Sequence, residues 1–197
     1  MSTKRIIVGT TGGSGAIYLV QLVKELLISG VQVHLVASDY GRRVLFEEMN
    51  IPDLEASSLG VEDHSDRLII YNNRDLGSRI ASGSFIHDGM IVVPCSSNTL
   101  GAVASGITNT LVQRAAAVTL KEQRKLVLAH RETPVNLIDL RNMCAVTEAG
   151  AIVSPLSPGF YMNPKGIRDL ADFMVGKMID AVGIHHELQT RWDPMVH

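Results

Sequence analysis

An acid and a base stand together where an apolar stretch of this chain stops. Arg131 and Glu132 follow directly on residues 126–129, a run typical of a buried strand, and Pro134 opens the next segment. In open α/β sheets, ligands bind in the crevice beyond the carboxyl ends of the strands. A carboxyl placed there is expected to be desolvated, which favours its neutral form, with Arg131 and Lys121 as the cations that hold it. The pair is therefore predicted to carry acid–base chemistry.

A glycine-rich turn follows the first predicted strand. Residues 9–15 have the pattern Gly-x-x-Gly-Gly-x-Gly, and such turns let backbone N–H groups approach a phosphate at a helix N-terminus. The spacing differs from the dinucleotide pattern, and no Lys follows as in a P-loop. Contact with a phosphate or a flavin and a merely tight turn both stay open at this point. Ser14 is placed where its hydroxyl could point into a site.

Residues with hydroxyl groups end two further predicted strands. Ser38 follows the strand at 31–37 and can be a helix N-cap, a ligand contact or both. The segment 94–99, Pro-Cys-Ser-Ser-Asn-Thr, places hydroxyls and an amide at a helix start, where they can bind an anion. Capping needs only one of these groups, so a ligand role is favoured for the segment.

Strands and helices alternate along the chain. The apolar runs are continuous, as in parallel strands covered on both faces. The alternation predicts an α/β fold with a doubly wound, mostly parallel sheet flanked by helices, of the Rossmann-like kind. Strands are predicted at residues 5–10, 31–37, 67–71, 90–94, 126–129 and 151–153. Helices are predicted at residues 16–27, 39–49, 98–104, 108–122, 136–148 and 167–182.

Length and composition favour a single globular domain over residues 1–197. A hydrophobic content of 46% with 19% charged residues argues against disorder, and the net charge of −2 gives no basic footprint for nucleic acid. No apolar run approaches the roughly 20 residues that span a bilayer, so no membrane role is expected. Two cysteines are too few for a disulfide framework, and a cytoplasmic location is predicted. The seven histidines lack the spacing of a metal site, so no metal is expected.

Taken together, these segments resemble the flavin prenyltransferases of the UbiX type over essentially the whole chain. The likeness is carried by residues 10–16, 81–84, 94–96, 99–100, 114–116, 120–122, 126–128, 131–132, 134, 142–143 and 158–161. The resemblance implies a flavoprotein that takes reduced FMN as prenyl acceptor. It joins a dimethylallyl group from dimethylallyl monophosphate to flavin N5 and C6 without a metal. The family implies that the product, prenyl-FMN, serves a UbiD-type decarboxylase, and that the enzyme is a homo-oligomer, a dodecamer built from trimers.

The resemblance also implies roles for individual residues. The positions that match flavin binding are Gly12, Ser14, Ser38, Ser96, Thr99 and Arg114. The positions that match prenyl-phosphate binding and catalysis are Ser82, Lys121, Arg131, Glu132 and Tyr161. Glu48 matches an acid near flavin N5, with Ser14 beside it, although the adjacent Glu47 leaves this assignment open by one residue. Trp192 matches a C-terminal aromatic residue near the substrate.

One position departs from the family. Lys177 stands where the family's arginine for the donor phosphate is expected. Lysine keeps the charge but loses the bidentate fork of arginine. The choice between a monophosphate and a diphosphate donor therefore stays open, as does the pathway, quinone synthesis or aromatic acid decarboxylation.

Two other functions are weighed against prenyl transfer. A flavin-dependent decarboxylase of peptidyl or pantothenoyl cysteine shares the Pro-x-Ser-x-Asn-Thr segment and needs a catalytic histidine, for which His64 is the candidate. A non-catalytic flavin-binding subunit of a decarboxylase would bind FMN without turning over any allylic phosphate. The Arg131-Glu132 pair and Tyr161 favour prenyl transfer over both.

Overall fold

Six parallel strands form one sheet in the part of the chain that the structure describes. That structure, a computed structural model, describes residues 3–188 and residue 190. The strands run in the spatial order β3-β2-β1-β4-β5-β6, and every pairing is parallel. Their bounds are β1 (Arg5–Thr10), β2 (Gln32–Ala37), β3 (Leu68–Asn72), β4 (Gly89–Cys95), β5 (Leu126–His130) and β6 (Ile152–Val153). The predicted doubly wound sheet is confirmed.

Helices cover both faces of this sheet and bury its apolar side chains. They are α1 (Ala16–Ile28), α2 (Asp39–Met49), α3 (Ser97–Ala104), α4 (Leu111–Lys121), α5 (Leu137–Glu148) and α6 (Ile167–Val182). One hydrophobic core lies between the sheet and α1, α2 and α6, and a second lies between the sheet and α3, α4 and α5. Two short 3-10 helices, Glu62–Arg67 and Arg79–Ala81, precede β3 and β4. None of the described helices is both long and apolar enough to cross a membrane.

Helix caps fix where the helices begin. The Ser38 side chain accepts the N–H of Gly41 at 3.0 Å and starts α2. Thr110 and Gln113 form a reciprocal capping box that starts α4, because each side chain accepts the other residue's backbone N–H. The predicted helix at 108–122 therefore began three residues too early.

The sheet's topology places a crevice at the ends of its central strands. The strand order reverses between β1 and β4, so the chain leaves these neighbours toward opposite faces and opens a gap at their carboxyl ends. The edge formed by the ends of β1, β2, β4 and β5 is called the carboxyl edge below, and the opposite one the amino edge. His130 and the backbone N–H of Arg131 both donate to the carbonyl of Cys95, at 3.0 and 3.2 Å, and lock the ends of β4 and β5 together.

Candidate functional site

A cavity of about 390 Å³ opens at the carboxyl edge, between the first turns of α2, α3 and α4. Gly12, Ser38, Ser96 and Thr99 line it, as the resemblance predicts for a flavin site. The buried Thr11 hydroxyl donates to a carbonyl of β4 at 2.9 Å and accepts the N–H of Ser96 at 2.9 Å, which ties the strand ends together. Four of the six predicted flavin-binding residues thus meet at one cavity.

Two buried amides that the sequence analysis did not single out also line this cavity. Asn73 and Gln113 are only 7% and 8% exposed. Asn73 Oδ1 accepts the N–H of Val112 at 3.1 Å, and Gln113 Oε1 accepts the N–H of Thr110 at 3.1 Å. The Thr-x-x-Gln spacing of the capping box is a signal that the sequence does carry. Nothing in the sequence marks Asn73, which simply follows a strand.

Glu48 caps the first helix from a neighbouring one. Its carboxylate accepts the backbone N–H groups of Gly15, at 2.9 Å, and of Ala16, at 2.7 Å, as well as the hydroxyl of Ser14. Gly15 occupies the N-cap position of α1 but has no side chain that could cap it. The N–H groups that a phosphate would use at this turn are therefore already taken by a carboxylate.

This environment sets the charge of Glu48. Partial burial acts to raise its pKa, but the hydrogen bonds from Ser14 and the two backbone N–H groups, together with the charge of Arg131, outweigh it. The pKa of Glu48 consequently lies below its ordinary value. Ser14 and an ionised Glu48 form a hydrogen-bonded pair at the carboxyl edge.

Glu47, the other candidate acid, faces away from this turn. Its carboxylate forms an exposed ion pair with Arg43 one turn earlier on α2, at 2.7 Å. Neighbouring residues on a helix project about 100° apart, so only one of the two glutamates can reach Ser14. The geometry favours Glu48 as the acid beside the glycine-rich turn.

Close packing explains the glycines of this turn. A Cβ on Gly12 would lie 2.8 Å from the Cβ of Tyr40, a distance too short for two carbon atoms. Gly15 has a φ of 116°, which other residues rarely adopt, and a Cβ there would clash with the ring of Tyr18. The turn is tight for structural reasons, and Gly12 in addition forms part of the cavity wall.

The Arg131-Glu132 pair lies at the carboxyl edge, as its position after an apolar strand predicted. A Cβ on Gly13 would lie 3.8 Å from the Cβ of Arg131, so this residue adjoins the glycine-rich turn. Glu132 accepts the Ser97 hydroxyl at 3.5 Å and the N–H of Thr133 at 3.2 Å. Both residues are exposed in the single chain. The expected desolvation of Glu132 is therefore wrong for the chain alone, because none of the elements that the structure describes covers this strand end.

A second cavity of about 310 Å³ lies beside this pair. One part of its wall is polar and is formed by Arg131, Glu132 and their neighbours. The remainder is mainly apolar and comes from Val135, from Leu140 and Met143 of α5, and from Pro155 and Leu156 after β6. Such a cavity suits a short hydrocarbon chain attached to a polar group.

Lys121 lies far from this pair within its own chain. It ends α4 at the amino edge, where its ammonium group pairs with Glu122. Arg131 follows the other end of β5, and five strand residues at ~3.3 Å each separate the two levels by about 17 Å. The expectation that Lys121 holds Glu132 is wrong within one chain, because a helix and the strand after it run in opposite directions.

Two further predicted residues lie outside both cavities. Ser82 is exposed, and its hydroxyl bonds to that of Ser84 at 2.8 Å. Arg114 is also exposed, and its Nε donates to the carbonyl of Ala81 at 3.3 Å. Neither side chain lines the cavity at the carboxyl edge, so the structure does not bring Arg114 to the other predicted flavin positions.

Tyr161 and Lys177 share one neighbour on α6. The Tyr161 ring packs edge-on against Phe173, with 5.5 Å between the ring centroids, and Lys177 Nζ lies 5.8 Å from the same centroid. Neither residue lines one of the two cavities. Trp192 was also predicted to lie near the substrate. It lies outside the described residues.

One of the two free cysteines belongs to the core and the other is exposed. Cys95 is fully buried, and burial raises the pKa of its thiol to about 12, so it is a core residue and not a nucleophile. Among residues 3–188 and 190, no group of three or more His, Cys, Asp or Glu side chains is placed to hold a metal ion.

Comparisons with known proteins point to one family. Residues 1–191 match the family model described as Flavoprotein. The flavin prenyltransferase UbiX of Halalkalibacterium halodurans is 43% identical over 194 residues, which cover 94% of this chain and 91% of that protein. The flavin prenyltransferase PAD1, mitochondrial, of Saccharomyces cerevisiae is 42% identical over 193 residues, which cover 96% of this chain and 76% of that protein.

Comparison with solved structures points to the same family. The crystal structure of AnUbiX (PadA1) in complex with FMN and dimethylallyl pyrophosphate has a TM-score of 0.86 at 39% identity and covers 98% of this chain and 100% of that one. The peptidyl-cysteine decarboxylase EpiD, at 17% identity and a TM-score of 0.62, shares the fold alone. A family model that matches nearly the whole chain and relatives of this similarity show that the chain belongs to the flavin prenyltransferases of the UbiX type.

Proposed function

We propose that this protein, as a single domain over residues 1–197, transfers a dimethylallyl group from dimethylallyl monophosphate to N5 and C6 of reduced FMN. The prenyl-FMN formed would serve a UbiD-type decarboxylase. The observation that carries the proposal is that the Ser14–Glu48 pair and the Arg131-Glu132 pair adjoin the same turn, beside a cavity lined by predicted flavin-binding residues. The related AnUbiX (PadA1) is described in complex with FMN and dimethylallyl pyrophosphate.

The cavity at the carboxyl edge fits FMN. Its wall offers hydroxyls and amides, and FMN is rich in acceptors along its ribityl phosphate and on its ring carbonyls. Ser38, Ser96 and Thr99 would hold it. When bound and reduced, the flavin supplies the nucleophile of the reaction. The protein positions the reactants and supplies the electrostatic field around them, and neither task needs a metal.

The donor would lie between Arg131, Glu132 and the second cavity. The apolar part of that cavity fits a branched five-carbon chain, and the polar part fits its phosphate. As the donor's C–O bond breaks, the electron pair leaves with the phosphate, and the Arg131 guanidinium stabilises the charge that develops on it. Glu132, when protonated, gives its proton to the departing phosphate oxygen.

Ser14 and Glu48 would manage protons on the flavin side. The Ser14 hydroxyl donates to the ionised carboxylate of Glu48, so a proton taken from the ligand by Ser14 has an acceptor in place. Arg131 lies close enough to Glu48 to lower the pKa of its carboxyl group. It therefore links the flavin side of the site to the side of the prenyl donor.

We further propose a homo-oligomer, specifically a dodecamer built from trimers. Lys121, Tyr161 and Lys177 do not reach the carboxyl-edge cavity of their own chain, so neighbouring copies would bring them to it. Helix α5 leaves large apolar side chains uncovered, with Leu137 and Ile138 60% and 68% exposed. A UbiX-like decarboxylase of Escherichia coli O157:H7, of TM-score 0.85 and 37% identity over 96% of this chain and 98% of that one, is described as dodecameric.

A cytoplasmic location is part of the proposal. Cys95 and Cys144 are free thiols, one buried and one exposed. Unpaired thiols suit a reducing compartment. Reduced FMN is also maintained most easily under such conditions.

The test is anaerobic incubation of the protein with reduced FMN and dimethylallyl monophosphate, followed by mass spectrometry of the extracted flavin. The expected product is a flavin heavier by one dimethylallyl unit, which is absent when the donor is omitted. Incubation with the diphosphate decides the donor preference that Lys177 leaves open. Unmodified FMN with both donors would refute prenyl transfer, and FMN that stays bound without turnover would point to a non-catalytic flavin subunit.

A cysteine-type decarboxylase is the remaining rival. Its candidate histidine, His64, lies in the 3-10 helix before β3, at the amino edge, where its Nδ1 contacts the Arg67 guanidinium at 2.9 Å. Changing His64→Asn would abolish a decarboxylase of that kind and leave prenyl transfer intact. Release of CO₂ from a peptide with a C-terminal cysteine would decide for the rival.

A further inference from the structure

The row of β5 side chains that faces α3, α4 and α5 ends in a histidine. Successive residues of a strand point to opposite faces of the sheet. Leu126 and Leu128 belong to the core on this side, and His130 is the next member of their row. It is only 2% exposed. An imidazole therefore stands where an apolar side chain would complete the core.

One nitrogen of this ring is used and the other is not. Nδ1 donates to the carbonyl of Cys95 at 3.0 Å, whereas Nε2 is buried and has no hydrogen-bond partner among the described residues. A buried polar atom without a partner lowers stability, because it loses its bond to water and receives none in exchange. An apolar residue of similar size would avoid this loss, so the fold alone gives little reason for a histidine here.

The bond that Nδ1 makes lies just beyond an irregularity in the strand pairing. Residues 90–92 of β4 pair in step with residues 126–128 of β5, but the register then shifts, and the next pair is Cys95 with His130. The carbonyl of Cys95 accepts both the ring Nδ1–H and the backbone N–H of Arg131. The ring therefore adds a side-chain bond to the end of β5, at the point where the backbone ladder has lost its regular register.

This bond lies between the two sides of the site. The carbonyl belongs to the residue before Ser96, which lines the carboxyl-edge cavity, and the ring belongs to the residue before Arg131 and Glu132. A shift of the end of β5 relative to β4 would therefore change the distance between the flavin side and the donor side. Arg131 and Glu132 are both exposed, so packing within the chain does little to resist such a shift.

The ring itself is not placed to bind a ligand. His130 is part of the wall of the second cavity, but Nδ1 is already bonded and Nε2 is buried, so neither nitrogen is presented to a molecule in that cavity. Any effect of His130 on the reaction must therefore pass through the backbone.

We propose that His130 is a positioning residue for prenyl transfer. Through the carbonyl of Cys95 it fixes where Arg131 and Glu132 lie relative to the flavin, and the unpaired Nε2 is stability that the protein gives up for this placement. The inference rests on the proposed function and adds to it a residue that acts on the reaction only through its neighbours in the chain.

Two substitutions separate this role from a merely structural one. His130→Leu removes the bond to Cys95 together with the unpaired nitrogen, and the carbonyl stays satisfied because the N–H of Arg131 still donates to it. His130→Asn places its NH₂ group where Nδ1 was, so the bond can be kept, but the space of the outer ring atoms is left empty. The leucine variant should therefore fold at least as stably as wild type, whereas the asparagine variant should have a lower Tm. Activity should follow the opposite order.

His87→Leu is the matched control. His87 is likewise buried, 5% exposed, and its Nδ1 bonds to the carbonyl of Gly89 at 3.1 Å, at the amino edge. The control therefore removes the same kind of bond far from the proposed site. Each protein is assayed for kcat with reduced FMN and dimethylallyl monophosphate, for the Kd of oxidised FMN by fluorescence quenching, and for Tm at one protein concentration.

The expected results differ in direction between the variants. His130→Leu should lower kcat at least about tenfold without lowering Tm, because small displacements of groups around reacting atoms have large effects on rate. His130→Asn should keep kcat within about threefold of wild type although its Tm falls, and His87→Leu should also keep kcat within about threefold. The Kd for FMN should change less than about threefold in all three variants.

An unchanged kcat in His130→Leu would overturn the inference. So would a parallel fall of kcat and Tm in both His130 variants, or a His130→Leu protein that does not fold as judged by far-UV circular dichroism, because either result means that the histidine serves stability. An equal loss of kcat in His87→Leu would overturn it as well, since the effect would then not belong to the carboxyl edge. Wild-type protein that binds FMN but forms no prenyl-FMN would instead refute the proposed function, and the inference with it.

Discussion

Replacing Glu48 by glutamine tests how the glycine-rich turn is held. The carboxylate of Glu48 accepts the N–H groups of Gly15 and Ala16 and the hydroxyl of Ser14, and α1 has no cap of its own. Glutamine keeps one acceptor oxygen but loses the second oxygen and the charge. Helix α1 should therefore lose stability at its first turn, and the Ser14 hydroxyl should lose its fixed partner.

The size of the effect follows from two contributions. Loss of a helix cap costs about 1 kcal/mol, and loss of a carboxylate at a helix N-terminus costs about 0.3–1 kcal/mol. Glu48 is exposed, so screening by solvent places the expected total near the lower end, about 1 kcal/mol. For a chain of this size, that loss corresponds to a fall in Tm of roughly 2–4 °C.

The pH dependence has a definite sign. Because the pKa of Glu48 is lowered in the folded protein, its contribution to stability is present above the ordinary value of 4.5 and is lost as the pH falls through the lowered value. The difference between wild type and Glu48→Gln should be constant at neutral pH. It should shrink in acid, where wild type loses the charge as well.

The assay is urea unfolding of both proteins at pH 7 and pH 4, at one protein concentration because oligomers gain stability with concentration. Glu47→Gln is the matched control, since it removes an adjacent carboxylate whose ion pair with Arg43 is exposed, and it should cost less than about 0.5 kcal/mol. Prenyl transfer should slow in Glu48→Gln and not in Glu47→Gln. Equal losses of stability in the two variants would refute the capping role.

Four more outcomes are expected. Glu132→Gln should keep FMN binding and slow phosphate release by roughly 100-fold or more, and unchanged turnover would remove Glu132 from the mechanism. Lys177→Arg should be tolerated or lower the KM for the donor, because arginine restores a bidentate contact; a large rise in KM would mean that Lys177 does not contact the phosphate. Mixed oligomers of the inactive variants Lys121→Ala and Glu132→Gln should regain part of the activity. Some of their sites would combine an intact Lys121 from one copy with an intact Glu132 from another. If no activity returned, both residues would belong to the site of one chain. Burial, with the charges of Arg79 and Arg5, lowers the pKa of His34 to about 4. Wild type should therefore lose at most about 3 kcal/mol of stability between pH 6.5 and 4, and in His34→Gln this loss should be smaller; identical acid profiles would contradict the assignment.

The periodicity of apolar residues was enough to predict the fold. Every α-helix and strand lies within three residues of its predicted position, and α6 has the predicted bounds Ile167–Val182, whereas the two 3-10 helices were not predicted. Burial on both faces makes the strands continuous apolar runs, and local caps mark where helices begin. The spatial order of the strands did not come from periodicity, because the pattern of apolar residues is the same whichever strands are neighbours.

The site was predicted less completely, for reasons of geometry. Residues directly after strands, such as Ser38, Ser96 and Arg131, fall at the carboxyl edge because parallel strands end together. The position of Lys121 was predicted wrongly because this residue is close to Arg131 in sequence but lies at the opposite edge of the sheet. Asn73 was missed because its role depends on α4, to which it is joined only through hydrogen bonds to two backbone N–H groups.

The glycine-rich turn shows why a motif alone does not identify an anion site. The pattern at residues 9–15 puts free N–H groups at the start of α1, and in many proteins a phosphate binds such groups. Here Glu48, 33 residues further along the chain, reaches the same N–H groups and supplies the negative charge from within. The demand for an anion at α1 is thereby met, whereas the caps of α2 and α3, Ser38 and Ser96, each accept a single backbone N–H of their helix. If FMN binds at the carboxyl edge as proposed, the charge of Glu48 would disfavour its phosphate at the turn, and Ser14 and Arg131 would lie beside the end of the flavin that carries no phosphate.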